Sequence, residues 1–445
     1  MPPHSRTKVV SDSDPELSDL KMKHFTREEI LNHTNDKYCI LEDGVYDLTN
    51  FRDKHPGGDV LDFFPGQDAT PHFYMLHQYE SLPSVLAEYK VGSVARDDSY
   101  VYHTPLMKQI KSAVRKVMPM QEWWAPPSWY IKACAILAAT LYTDYLWIAS
   151  GPTIPLAIVS GLLYAAIGLN IQHDANHGSV SRNPMVNRLF GYSQDWIGGS
   201  RMLWIRQHVV GHHTHCNRHQ HDPDVKGGSV ITLSRYSLPK EFHHIQQYYF
   251  LPLIQLLGFQ WVFLGLHDLI EMKYKGEKLP ESYRKERNIA IGLRVFFFIR
   301  KFVVPFALHF SWYTLLCTYL WMAIAALYLG FFFILSHIFV GAKSLPEDAK
   351  NIDWARHQIE SSSNVCGEKL GISNGGLNYQ IEHHLFPRMS HAHYSKIQPV
   401  VQKVCEENGV NYKKFGTILS NLDSTFRQVK ALGSVAVYNE FMEGL

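Results

Sequence analysis

Two stretches of this chain are too long and too apolar to be ordinary core helices. Residues 133–171 hold 27 apolar residues of 39 and residues 302–342 hold 32 of 41, against 46% overall, and neither contains a Lys or Arg. At 1.5 Å per residue, about 40 residues cross a ~30 Å hydrocarbon layer twice. Each stretch is therefore expected to form a transmembrane helical hairpin, over about 131–171 and 302–342. The first should turn at Ser150-Gly151-Pro152-Thr153, a helix-breaking run, and the second near Ser311 to Thr318. Lys132, Arg182, Arg300 with Lys301, and Lys343 stand at the four outer ends. By the positive-inside rule those ends and both termini face the cytosol. A third apolar segment, Tyr248 to Ile270, carries Gln255, Gln260, His267 and Asp268. If it crossed as well, the histidine clusters on either side of it would end on opposite faces. It is expected to lie in the interface or beneath the cytosolic domain.

Composition narrows the function classes. With 43 basic against 41 acidic side chains, the chain is no nucleic-acid binder working by bulk positive charge. Six cysteines lie far apart with no CxxC pair, which fits a reducing environment and suggests neither a disulfide framework nor a thiolate zinc site. The 445 residues allow more than one domain. The polar N-terminus shows no signal-peptide pattern, and residues 1–23 read as a disordered lead. The outlier is histidine, with 25 residues.

Residues 24–95 look like a separate soluble α+β module, followed by a linker at 96–124. His55-Pro56-Gly57-Gly58 follows Val45-Tyr46-Asp47-Leu48-Thr49, and Asp68-Ala69-Thr70 precedes Phe73 and His77. In that order these features resemble cytochrome b5, and the resemblance implies haem b with axial ligands His55 and His77. Their spacing is slightly shorter than many members of that family show, so a local difference is expected around Phe64-Pro65-Gly66. His72 is the competing second ligand.

Three histidine clusters carry the remaining chemistry. His173-Asp174-Ala175-Asn176-His177 follows the first hairpin, His208-Val209-Val210-Gly211-His212-His213 lies beyond it, and Gln380-Ile381-Glu382-His383-His384 follows the second. On a helix, residues four apart point to one side and can grip one metal ion. The adjacent His213 can reach another ion. Imidazole-rich sites suit iron, copper, nickel or zinc, so spacing does not choose the metal. All three clusters lie just beyond expected membrane ends on one face.

The set HDxxH, HxxxHH and QxxHH resembles the membrane fatty-acyl desaturases over residues 125–445, chiefly up to about 415. The fused haem module and the glutamine opening the third box resemble the front-end desaturases. Asp195-Trp196-Ile197-Gly198-Gly199 and Gly375-Gly376-Leu377-Asn378-Tyr379 add to that likeness, which is strongest to algal enzymes acting at the fourth or fifth carbon of very-long-chain polyunsaturated acids. The resemblance implies a mainly α membrane protein: four transmembrane helices in two hairpins, a cytosolic histidine-rich cap and the N-terminal haem domain. It also implies two non-haem irons held by His173, His177, His208, His212, His213, His383 and His384. Gln380 would bind weakly or through water, and His337, a lone histidine in an apolar span, fits a further ligand. Asp174, Glu382, Asp222 and Asp224 are candidates to orient ligand imidazoles, with a simple turn as the other reading of Asp222-Pro223-Asp224. His215, His219 and His221 read as neighbours of the site or surface residues; His243, His244, His391 and His393 read as solvent-facing. Trp196, Trp204 and Trp261 either line an acyl channel or anchor the interface.

The implied activity is insertion of a cis double bond between an existing one and the carboxyl end of a fatty acyl lipid or acyl-CoA, at the fourth, fifth or sixth carbon. An unactivated methylene offers no acidic proton, so a cofactor must do the hard chemistry with O2 and two electrons. The tethered haem is the donor, and NADH acts indirectly through a cytochrome b5 reductase, since the chain has no Rossmann fingerprint of its own. The endoplasmic reticulum follows from those partners. Rival readings are a sphingolipid long-chain-base desaturase and, from another class, an electron-transfer membrane haemoprotein.

Overall fold

The computed structural model describes residues 23–31, 37–55, 57–77, 81–226 and 230–434. The expected lead before Lys23 lies outside them. The N-terminal module contains a four-stranded sheet in the order β1 (Lys23–Phe25), β4 (Lys90–Val94), β3 (Gly44–Asp47), β2 (Tyr38–Leu41). β1 and β4 are parallel, and the other pairs are antiparallel. Phe25, Ile40, Val45 and Val94 form its core. Asp68 initiates helix Thr70–His77 by accepting from the Thr70 N–H at 2.9 Å, and it also pairs with Arg27 at 2.5 Å.

Residues 96–124 are not the free linker that the sequence suggests. Tyr100–Val101 pairs in parallel with Ile352–Asp353, and Pro105–Val117 is a helix capped by Thr104. Leu106, Met107, Ile110 and Val114 recur at helical spacing and bury against the C-terminal helix Tyr394–Glu407. Thirteen residues of amphipathic pattern are enough to fold this stretch onto the second domain, with Lys108, Arg115 and Lys116 left in solvent.

Among the described residues three helices are long and apolar enough to cross a membrane: Met120–Ala149, Ile154–Asn176 and Trp312–His337. The first two form the expected hairpin around Ser150 to Thr153, with Thr153 accepting from the Leu156 N–H at the start of the second arm. The second hairpin is shifted. Residues 312–337 are a single helix of 26 residues, so the apolar stretch 302–342 does not hold two crossings. The break falls at Phe310 and Ser311, and the preceding helical run, through Arg284–Phe298, Ile299–Val303 and Val304–His309, starts well before the apolar stretch does. The segment around Tyr248 to Ile270 is a helix pair, Glu241–Gln255 and Leu257–Glu271, bent by 44°, which makes a fourth span if it is counted as one. Phe250, Ile254, Val262 and Leu269 are buried while Leu256, Leu264 and Ile270 are exposed, as an amphipathic segment requires. Ile131, Leu141, Val159, Leu308 and Trp312 give the helices an exposed apolar belt.

Arg300 and Lys301, expected at a wet outer end, are buried among the helices. Asp144 is the reason. This carboxylate, inside the first apolar stretch, pairs with Arg300 and lies 3.2 Å from Lys301 Nζ. Tyr164 donates to Asp144 at 2.9 Å and Trp196 Nε1 at 3.2 Å. The second positive charge is met by aromatic faces: Lys301 Nζ lies 4.2 Å from the Trp147 ring centre and 4.6 Å from that of Trp321. Removing one member of such a buried set strands the others. Asp144→Leu is expected to cost about 3–5 kcal/mol, read as a lower thermal midpoint in detergent, and adding Arg300→Met should recover part of the loss. An unchanged midpoint in the single variant would show the carboxylate to be dispensable.

Candidate metal centre

The first two histidine boxes sit where regular α-helix gives way. A π segment, Gly168–Gln172, leads into His173–Asn176, and a second, Ile205–His212, joins Arg201–Trp204 to His213–His215. A π turn closes on the fifth residue instead of the fourth. The ligand atoms of His208 and His212, expected to face one ion, do lie within 4.8 Å of each other, together with Asp224. His208 and His213, five apart, meet with their Nε2 atoms 3.2 Å apart, and His213 Nε2 lies 2.9 Å from His383 Nε2. The third box is carried by the short helix Gln380–Leu385, reached through Gly375 and Gly376, both at positive φ. A Cβ at Gly375 would meet the Leu169 carbonyl at 2.1 Å, so only glycine lets this turn pack onto the first box.

Two fully buried groups of ligand-type atoms lie side by side, and a third set, His208, His212 and the exposed Asp224, overlaps both. His173, His177, His208 and His383 form one buried group; His212, His337 and His384 with Cys216 form the other, each with its atoms within 4.8 Å of one another. His213 stands between them, its ring 4.7 Å from that of His208 and 4.3 Å from that of His384. Gln380 Nε2 lies 3.0 Å from His337 Nε2. Both ring nitrogens of His173 and of His177, Nε2 of His212 and of His384, and Oε1 of Gln380 are buried without a hydrogen-bond partner. Such a set is costly unless something else engages the lone pairs. Two imidazole nitrogens bound at right angles, each about 2.0–2.1 Å from one ion, lie roughly 3 Å apart. The 2.9 and 3.2 Å pairs have that spacing. The residues fit a pair of metal ions.

Partners on the far side of each ring set which nitrogen is free. His212 Nδ1 donates to Asp222, 3.1 Å away, His384 Nδ1 to Gln358 Oε1 at 2.7 Å, and His337 Nδ1 to the Ser361 carbonyl at 3.1 Å. Each acceptor forces the proton onto Nδ1 and leaves Nε2 open towards the group. His383 Nδ1 faces the Tyr394 hydroxyl at 3.1 Å. Burial holds His208, His213, His383 and His384 well below the usual imidazole pKa, so they are neutral donors. Burial acts the same way on His212, but the carboxylates of Asp222 and Asp224 outweigh it and push its pKa up to about 9, so this ring must release its Nε2 proton before it can bind a metal. Burial also raises the Cys216 thiol, which keeps its proton and is a poor metal donor.

Several expected roles change. Asp174 accepts from His391 Nδ1 at 2.8 Å and from Ser390 at 3.0 Å, and Glu382 accepts from Tyr412 and from Asn364, both at 2.7 Å. These carboxylates brace the backbone around the boxes instead of touching ligand rings. Burial pushes Glu382 up to about 7. Asp222 does orient a ligand, and Asp224 bonds Gln207 at 2.7 Å and lies 3.5 Å from His212. His391 and His393, expected in solvent, are buried because Asp174 and the Trp124 carbonyl hold them. His243 is also buried, its Nδ1 accepting from the Lys240 N–H at the start of a helix, while His244 is exposed. His215, His219 and His221 stay outside both groups. Trp204 packs on His208 with ring centres 4.5 Å apart, Trp196 lies over Arg300, and the Trp261 carbonyl accepts from Arg294. Gln358, Tyr394 and Cys216 were not singled out in the sequence, because no spacing ties them to a box.

In the N-terminal module His55 and His77 face each other with ring centres 5.8 Å apart. His77 Nδ1 donates to the Phe73 carbonyl at 3.1 Å, which leaves Nε2 for a metal. His55 Nδ1 lies 3.2 Å from the Gly57 N–H, a contact that the ring must give up to present Nε2 in the same way. With that adjustment the pair fits a bis-imidazole haem. His72 points away from both.

The chain matches the family described as Fatty acid desaturase over residues 149–416 and that of the Cytochrome b5-like Heme/Steroid binding domain over residues 26–95. It is 36% identical over 427 residues to an acyl-lipid (7-3)-desaturase of Diacronema lutheri, covering 94% of this chain and 95% of that one. It is 35% identical over 441 residues to an acyl-lipid (7-3)-desaturase of Rebecca salina, with 97% and 98% covered. An acyl-lipid (8-3)-desaturase of Physcomitrium patens is 29% identical over 466 residues, with 96% and 95% covered.

Gln358 gives the arrangement a direct test. Replacing it by Leu removes the acceptor that orients His384, and such partners are worth roughly 10–100-fold in metal affinity. Metal per chain, measured by plasma mass spectrometry on purified Gln358→Leu protein, is expected to fall by about half, since only one group depends on His384. Full metal content would mean that the amide has no orienting role.

Proposed function

The chain belongs to the fatty acid desaturase family and carries a cytochrome b5-like domain ahead of it, and from that membership we propose that it is a front-end acyl-lipid desaturase. It inserts a cis double bond between the carboxyl end and an existing double bond of a long-chain polyunsaturated acyl group, at the fourth or fifth carbon ahead of the sixth. The observation that carries this reading is the convergence of eight histidines and Gln380, from four separate segments, into two adjacent metal-sized groups at the ends of apolar helices. The relatives' names support an acyl chain attached to a lipid over a coenzyme A ester.

The overall change takes CH2–CH2, O2, two electrons and two protons to CH=CH and two waters. When bound, two irons supply the oxygen-activating redox chemistry that removes hydrogen from an unactivated methylene pair. His173, His177, His208 and His383 hold one, and His212, His337, His384 and, weakly, Gln380 hold the other, with His213 between them. Neutral imidazoles suit this task because they ligate without cancelling the metal's charge. Trp204 and Phe333, whose rings lie 4.5 and 5.6 Å from that of His208, form an apolar wall along which the acyl chain lies and water is excluded. His55 and His77 hold the haem. Electrons reach it from NADH through a cytochrome b5 reductase. Both termini and the metal centre face the cytosol, and the membrane is that of the endoplasmic reticulum.

Yeast expressing the chain and fed polyunsaturated acids of eighteen, twenty or twenty-two carbons is expected to form a product with one new bond on the carboxyl side. Mass spectrometry locates that bond, and positional analysis of the lipids identifies its carrier. His383→Ala should abolish the product. No new fatty acid from any feed, with haem and iron both bound, would sink the reading and turn attention to long-chain bases.

A further inference from the structure

Helix Thr70–His77 reaches past its own domain. His72, buried and about 7.5 Å along the helix from His77 at 1.5 Å per residue, has Nε2 3.1 Å from the Val209 carbonyl and 3.0 Å from Thr214 Oγ1. Val209 follows His208 directly and Thr214 follows His213. The carbonyl can only accept, so the single ring proton sits on Nε2, shared with the threonine oxygen. The buried Nδ1 has no hydrogen-bond partner. Burial first of all lowers the His72 pKa to about 4, so the contact is made by a neutral ring.

The surroundings make this a seat and not a chance touch. Phe63, Phe64, Phe73 and Tyr74 of the haem module share one buried cluster with Met202, Ile205, Val209 and Val210 beside the second box. Phe64 packs on the His72 ring at 5.0 Å, Tyr283 donates to the Phe63 carbonyl at 3.0 Å, and Ser282 to that of Asp62 at 2.9 Å. A polar group sunk into so apolar an interface is tolerated only in the register that satisfies it.

We infer that His72 is a positioning residue that fixes the haem-bearing helix on the π segment of the second histidine box, through Val209 and Thr214, in the geometry that electron transfer uses. The inference rests on the proposed function. Each transfer oxidises one ferrous haem and reduces one non-haem ferric ion, and the haem is reduced again by an external one-electron donor, twice per double bond. His72 itself gains and loses nothing.

The test uses the full-length protein with haem and iron bound, as His72→Phe, Thr214→Val and His72→Gln. The haem absorption spectrum should keep its low-spin form in all three, because His72 is no axial ligand. Amide hydrogen exchange over 205–215 should quicken in His72→Phe and Thr214→Val. Oxidation of pre-reduced haem, followed by stopped flow with substrate and O2, should slow by about tenfold or more, the worth of a buried hydrogen bond and its stranded partner. His72→Gln, whose amide can still donate, should restore both. Loss of the low-spin spectrum in His72→Phe would make His72 a haem ligand and overturn the inference. So would unchanged exchange and oxidation rates in both disabling variants. Failure of the desaturase reading looks different: the unaltered protein then forms no product, even with free cytochrome b5 added.

Discussion

Imidazole lone pairs aimed at one another in a dry interior are the constraint on which the rest of this structure depends. Nitrogens that would each bond water outside are held within a few ångströms of other nitrogens. Such packing is unfavourable unless cations take up the lone pairs, and it must be enforced from outside. The enforcement is visible at every level. Apolar helices deliver His173 and His337 to the same depth, π segments rotate the boxes into facing positions, and Gly375 lets the third box approach the first.

Charge is managed by distance from this centre. Asp224, on the exposed side, is grouped with His208 and His212; Asp222 touches His212 from behind, while Asp174 and Glu382 hold bracing side chains. Among the helices the opposite problem is solved with Asp144, Arg300, Lys301 and three aromatic rings. Both arrangements leave the uncompensated imidazole donors to the histidine groups.

What could be read from the sequence was whatever repeats at short range. Apolar runs announced the first hairpin, and box spacing announced His173, His177, His208, His212, His213, His383 and His384, all of which lie in or between the two groups. His337 emerged from the family resemblance, supported by the cost of a polar residue in an apolar span without a partner. What stayed hidden depends on contacts between distant segments. No local pattern links Gln358 to His384, Tyr394 to His383 or Asp174 to His391, and Asp144 was overlooked as a counterion because Arg300 follows it by 156 residues. That the His213 ring comes closer to His208 than the His212 ring does is invisible to any count of four, since a π turn has no sequence signature comparable to a glycine turn. The second hairpin slipped because its first arm is polar where it begins, at Arg284.

The folded stretch between the two domains bears on how such fusions can be recombined. Strand β4 completes the haem module at Val94, whereas Tyr100–Val101 and the helix after Thr104 are stitched to Ile352–Asp353 and Tyr394–Glu407. The apparent tether is therefore folded onto the second domain while also touching the first, through Tyr74 on Tyr102 and His103. The natural splice point is the few residues after Val94, and a graft that carries this strand and helix along with a foreign haem module would bring a second claimant for the same groove.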